Sequence, residues 1–153
     1  MNYWLLKSEP DVWSIDQQKK SGLKGAPWDG VRNYQAAKNL KNMRKGDLCF
    51  FYHSNQKPPA IVGIMEVCSD AYPDALQFDP ESKYFDEKSS EAEPRWINVE
   101  MRFVEKFAHP ITRDQLKEKN ELASMELFRL GRYSITLVSK EEWETILTLK
   151  NGS

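Results

Sequence analysis

The chain has 153 residues, 40% hydrophobic and 29% charged, with a formal net charge of −1. Such a composition describes one soluble globular domain over residues 1–153, long enough to bury a core. No apolar run approaches the roughly eighteen residues of a membrane span, and Met1 to Lys7 is too short and too early charged for a signal peptide, so a cytoplasmic protein without membrane contact is expected.

Tyr3 to Lys7 reads as a buried strand ended by Ser8-Glu9-Pro10, since proline cannot donate to a ladder. Ser14-Ile15-Asp16-Gln17 has the spacing of a capping box and opens a short helix that fades at Ser21-Gly22. Gly22, Gly25, Pro27 and Gly30 make residues 21–30 a loop that presents Trp28. A helix follows from Asn33 to Met43, with Ala36, Ala37, Leu40 and Met43 on one face, closed by Lys45-Gly46-Asp47. Leu48 to His53 and Ile61 to Val67 are apolar strands separated by a loop holding Pro58-Pro59.

Residues 69–95 are acidic, rich in Pro and Ser and dotted with Tyr72, Phe78, Tyr84 and Phe85; they read as a long irregular loop. Ile97, Val99, Met101 and Phe103 then alternate with polar neighbours as a half-buried strand, and His109-Pro110 reads as a turn. Thr112 caps a helix, Leu122, Met125 and Phe128 mark another, Ser134 to Val138 is a last strand, and Ser139 caps a last helix. About five strands without regular βαβ spacing point to an α+β fold, a small mixed or antiparallel barrel with helices around it. Cys49 and Cys68 sit in apolar runs without His or Cys partners and read as buried, reduced thiols, which excludes a structural metal site.

Charge is unevenly divided: residues 1–60 carry ten Lys/Arg against five Asp/Glu, and the remainder carries twelve against eighteen. The basic part holds Lys38, Lys41, Arg44 and Lys45 close together, a field able to steer a phosphate backbone or simply a solvated face. The same part holds three clusters that mix rings with fixed polar groups: Lys7-Ser8-Glu9, Trp28 to Gln35, and Phe51-Tyr52-His53-Ser54. A flat ligand such as a nucleobase needs a stacking plane plus edge-reading donors and acceptors. Trp28 is either such a plane or a plug on the core. Arg32 meets a phosphate or base edge, or pairs with Glu9. Asn33 serves as a helix N-cap, as a base reader, or as both. Lys7 snorkels to solvent or meets a ligand or a carboxylate. Period-two alternation puts Tyr52 and Ser54 on one face of their strand and His53 on the other.

Catalysis finds little footing. His53 and Ser54 point to opposite faces and cannot form a nucleophile–base pair, and His109 has no acidic or Cys neighbour. No GxGxxG, Walker loop, CxxC, HExxH or GxSxG is present, so no catalytic residue, metal or cofactor is assigned.

The segments Tyr3 to Pro10, Trp28 to Ala36, Gly46-Asp47 with Phe51 to Ser54, and Ile61 to Ile64 together resemble the EVE-domain family. Tyr72-Pro73-Asp74, Trp96, Val99 and Gly131-Arg132-Tyr133-Ser134 extend the resemblance along nearly the whole chain. The resemblance implies a PUA-like barrel of about five to six strands, related to the YTH domains that read methylated adenine in RNA. It implies a reader of a modified nucleobase, a modified cytosine in DNA, without enzymatic activity. The pocket it implies is lined by Lys7, Ser8, Glu9, Trp28, Arg32, Asn33, Tyr34, Tyr52, His53 and Ser54, with Ser134 added from the last strand. Lys38, Lys41, Arg44 and Lys45 would hold phosphates. The partner would be DNA or RNA carrying the modification, and any cleavage would come from a nuclease on another chain. A PUA-like module that binds unmodified RNA, or a sensor or enzyme for a free nucleoside, is the alternative.

Overall fold

The computed structural model describes residues 1–150, apart from the Leu23 side chain. In chain order the elements are β1 (Tyr3–Ser8), α1 (Ile15–Lys20), β2 (Ala26–Pro27), α2 (Tyr34–Asn42), β3 (Leu48–His53), β4 (Ala60–Val67), β5 (Tyr72–Pro73), β6 (Ile97–Asn98), β7 (Glu100–Thr112), α3 (Arg113–Lys117), α4 (Glu126–Arg129), β8 (Ile135–Val138) and α5 (Lys140–Leu149). Six strands form one mixed sheet in the order β2-β7-β4-β3-β1-β8, curled into a half-barrel, and β5 pairs with β6 separately. β1 runs parallel to β3, whereas β8, β4, β7 and β2 join antiparallel.

Local signals set the helix starts. Ser14, Thr112 and Ser139 each form the reciprocal capping box read from the sequence, and Asn33 Oδ1 accepts the Ala36 N–H at the start of α2. Successive residues of β3 alternate between two apolar clusters: Cys49 and Phe51 join Trp4, Leu6, Ile15 and Leu40 on one side, while Phe50 and Tyr52 join Leu5, Leu116 and Trp143 on the other. The sheet is therefore covered on both faces. α1 and α2 close the first cluster, and α3 to α5 close the second, where Trp143 stacks on Phe50 with ring centroids 3.9 Å apart.

Four expectations are corrected. The alternating strand at residues 96–103 is broken at Val99, whose carbonyl accepts the Trp28 N–H; β6 before it belongs to the small sheet and β7 after it to the large one. His109-Pro110 lies inside β7 and not in a turn. The β4–β7 register jumps between Ile61↔Ile111 and Gly63↔Lys106, so these residues fall in the resulting bulge, where a proline costs no ladder bond. The helix marked by Leu122, Met125 and Phe128 divides into a 3₁₀ turn at Asn120–Leu122 and the short α4. Of the two thiols, Cys49 is buried but Cys68 is only half-buried.

Two buried contacts fix α1 on the barrel. A Cβ added at Gly63 would lie 2.3 Å from the Glu105 carbonyl oxygen and 2.9 Å from Ile15 Cδ1, so only glycine lets β4, β7 and α1 approach this closely. His53 is buried, and its Nε2 accepts the Ile15 N–H at 3.1 Å, which requires a neutral imidazole. Burial pushes its pKa below the ordinary 6.5, against the upward pull of Gln56 and Asp16. Gly63→Ala should lower stability by about 1–3 kcal/mol in urea titration, the usual cost of overpacking. Because the depressed His53 pKa lets the unfolded chain take up its proton first, stability should decline as pH falls below about 6.5. In His53→Gln the decline between about pH 7 and pH 5 should be shallower; equal slopes would assign the effect to another group.

Candidate functional site

The parallel β1–β3 pair forces the chain to cross over the sheet, and residues 9–47 make that crossing. Where it passes between α1 and α2 it encloses a recess of about 790 Å³. The end of β1 contributes Lys7, Ser8 and Glu9, the approach to α1 contributes Val12 and Trp13, and the crossing itself contributes Ala26 to Asn33. Lys83 and Tyr84 reach in from the long acidic loop, and Ser134 from just before β8.

Trp28 is half-buried and lines this recess. Its ring meets Phe51 edge-on, with centroids 5.5 Å apart, and packs against the first cluster. The indole is thus seated on the core without being sealed in it. Trp13, also half-buried, is held by its Nε1–H, which donates to Gln18 Oε1 at 2.8 Å.

The wall between Trp28 and Asn33 is braced by one buried carboxylate. Asp74 is 1% exposed, and its Oδ2 accepts the Gly30 N–H at 2.9 Å and Arg32 Nη1–H at 3.0 Å, while Oδ1 accepts the Leu76 N–H. Arg32 further donates to the carbonyl oxygens of Tyr84 and Val31, and its guanidinium lies 5.4 Å from the Tyr84 ring centroid. At Gly30 the φ of +76° and the Tyr84 ring, 2.8 Å from where a Cβ would stand, both require glycine. The Arg32–Glu9 pair considered from the sequence does not form; Asp74 is the partner.

Several polar groups of the wall are already engaged. Lys7 Nζ donates to the Gly131 carbonyl oxygen at 2.8 Å, and burial, with Arg113 nearby, lowers its pKa. Ser8 Oγ donates to the Trp13 carbonyl oxygen. Asp29 differs: its carboxylate meets no donor of another described residue, and burial followed by the Asp74 charge raises its pKa. Asn33 spends its Oδ1 on the helix cap and keeps its amide N–H₂ for other partners.

Lys7, Ser8, Glu9, Trp28, Arg32, Asn33 and Ser134 are thus brought together. Tyr52 and His53 stand elsewhere, because both faces of β3 are buried: Tyr52 lies in the second cluster and His53 under α1. Ser54 follows β3, its N–H bonded to the Ser8 carbonyl oxygen, and does not line the recess; Tyr34 lies outside it on α2. Lys38, Lys41, Arg44 and Lys45 are exposed along α2 and the turn after it. Sequence reasoning missed Trp13 and Tyr84. The position of Trp13 directly before the N-cap Ser14, where an apolar side chain commonly folds back on its helix, was an available signal.

The family model described as "EVE domain" matches residues 2–149. Thymocyte nuclear protein 1 of Mus musculus is 39% identical over 166 residues, covering 97% of this chain and 74% of that protein. The crystal structure of human THYN1 protein in complex with 5-methylcytosine containing DNA superposes with a TM-score of 0.94 at 36% identity, over 100% of this chain and 99% of that one. A likeness of fold alone, at TM-score 0.55 and 14% identity over 99% and 87% of the two chains, extends to the YTH domain of Zygosaccharomyces rouxii MRB1 protein in complex with N6-methyladenosine RNA. The α+β, PUA-like arrangement implied by the motifs is the one observed. With a family match over nearly its whole length and close agreement in fold, the chain belongs to the EVE-domain family.

Proposed function

We propose that this protein is a non-enzymatic reader of a modified nucleobase, a modified cytosine in DNA, which leaves its stack and enters the recess beside Trp28. The observation that carries the reading is the recess itself: aromatic rings at Trp13, Trp28 and Tyr84, with unengaged edge-reading groups at Asp29 and Asn33. Its volume falls within the roughly 300–1,000 Å³ of small-ligand pockets. The human relative bound to 5-methylcytosine containing DNA supports the same ligand class.

The division of charge supports a base in the recess and phosphates outside it. Lys7 and Arg32 are tied to protein acceptors, whereas Lys38, Lys41 and Lys45, on and after α2, are exposed and donate to no described residue. The carboxylates of Asp29 and Glu9 favour a base edge that donates, as the exocyclic amino group of cytosine does. His53 has no part in this reading, since its imidazole lies under α1 and is held by the Ile15 N–H.

Trp28→Ala should weaken binding of the best modified oligonucleotide roughly tenfold or more, the loss expected for one base–aromatic stack. Anisotropy titration measures this, with thermal unfolding confirming that the variant is folded. Unchanged affinity would leave Trp28 as a core plug only, and equal affinity for modified and unmodified oligonucleotides of one sequence would favour a PUA-like RNA module. Replacing Lys38 and Lys41 together by Glu should weaken binding across sequences and flatten the log–log salt dependence by roughly one for each phosphate no longer neutralised. An unaltered salt slope would remove α2 from the phosphate path.

A further inference from the structure

Tyr34 is an exposed aromatic residue that the recess leaves out, and its setting is unusual. It is 66% exposed, yet its ring is stacked on Trp96 with centroids 5.0 Å apart and planes 27° from parallel. Trp96 is itself fixed: it is 5% exposed, its Nε1–H donates to Asp86 Oδ2 at 2.8 Å, and its backbone N–H donates to Gln77 Oε1. An immobile indole therefore backs an outward-facing phenol. The fold makes no demand for this ring, because Asn33 already caps α2 and tyrosine is an ordinary helix former at best.

Position adds a second argument. Asn33, on the wall of the recess, is the preceding residue. Lys38 and Lys41 follow Tyr34 by four and seven residues on the same exposed side of α2. Recess, exposed ring and basic side chains thus form one continuous path along a single helix.

We propose that Tyr34 is a second stacking platform, outside the recess, for the unpaired base adjoining the one that enters it, with the strand continuing along α2 over Lys38 and Lys41. The inference rests on the recess reading and narrows its ligand to nucleic acid whose flank is single-stranded or locally opened. A free face on a fixed aromatic pair accepts any base, since every base offers a π-face, so the platform adds affinity without adding sequence preference.

The test uses a single-stranded DNA carrying 5-methylcytosine with ordinary flanking nucleotides, and the same strand with abasic sites on both sides. Tyr34→Ala should bind the ordinary strand roughly tenfold more weakly and the abasic-flanked strand as well as the native protein does. Tyr34→Trp should retain native affinity for both. Trp28→Ala should weaken both strands alike, which separates the recess from the platform. A Tyr34→Ala loss that is the same on both strands, or no loss on either, overturns the platform and leaves the recess standing. A flank-dependent Tyr34 effect without any Trp28 effect overturns the recess and keeps the platform. Failure of the native protein to bind either strand overturns both.

Discussion

A parallel strand pair cannot be closed by a tight turn; it needs a connection of about a dozen residues or more that leaves the sheet and returns. The pairing of β1 with β3 imposes that connection here, and the recess follows from it. α1 and α2 bury Ile15, Ala36, Leu40 and Met43 against the first cluster, which leaves the chain between them to cross as a loop. At the far end of the crossing, buried Asp47 accepts N–H groups from Asn2, the Trp4 indole and Arg44, tying the return of the chain to the start of β1. The loop rests Trp28 and Val31 on that cluster without burying them fully, so the indole keeps an open side.

Asp74 gives this loop its shape. A carboxylate buried that deeply is costly unless its lone pairs are filled, and Arg32, Gly30 and Leu76 fill them. The consequence is a separation of tasks. Arg32 becomes part of the frame, with the Tyr84 ring beside it and the Gly30 backbone beneath that ring. The long acidic loop, which looks like an excursion in the sequence, is therefore half of the brace: Tyr72-Pro73 pairs with Ile97-Asn98 and brings Asp74 under the crossing.

Signals confined to a few residues were legible from the sequence. The capping boxes at Ser14, Thr112 and Ser139, the cap at Asn33 and the Gly/Pro loop presenting Trp28 all depend on neighbours within a turn. Alternation in Leu48 to His53 correctly separated Tyr52 from His53, but it could not show that neither faces a ligand. Alternation identifies two faces; here a second apolar cluster covers the one that would otherwise be open. Contacts across 42 to 52 residues were illegible for a different reason: nothing local distinguishes Asp74 from Glu9 as the partner of Arg32, or marks Tyr84 among the aromatics of its loop. The length of β7 was hidden by Pro110, which a bulge accommodates.

The rigidity of α2 joins these features. Its apolar side is buried through Ala36, Ala37 and Leu40, and Asn39 Nδ2 donates to the Ile135 carbonyl oxygen of β8 at 2.8 Å. That bond, with Glu126 accepting the Leu137 N–H, also occupies the free edge of the sheet, so β8 is poorly suited to pairing with another chain. What remains open on α2 is its polar side, beginning at the rim of the recess with Asn33 and continuing through its lysines. A helix held at its cap, its core face and its flank cannot shift relative to the Trp28 loop without breaking the Asn33 cap or the Ile135 contact. The spacing between base pocket and phosphate contacts is thereby set before any ligand arrives, and a site whose spacing is preset loses less free energy to ordering on binding.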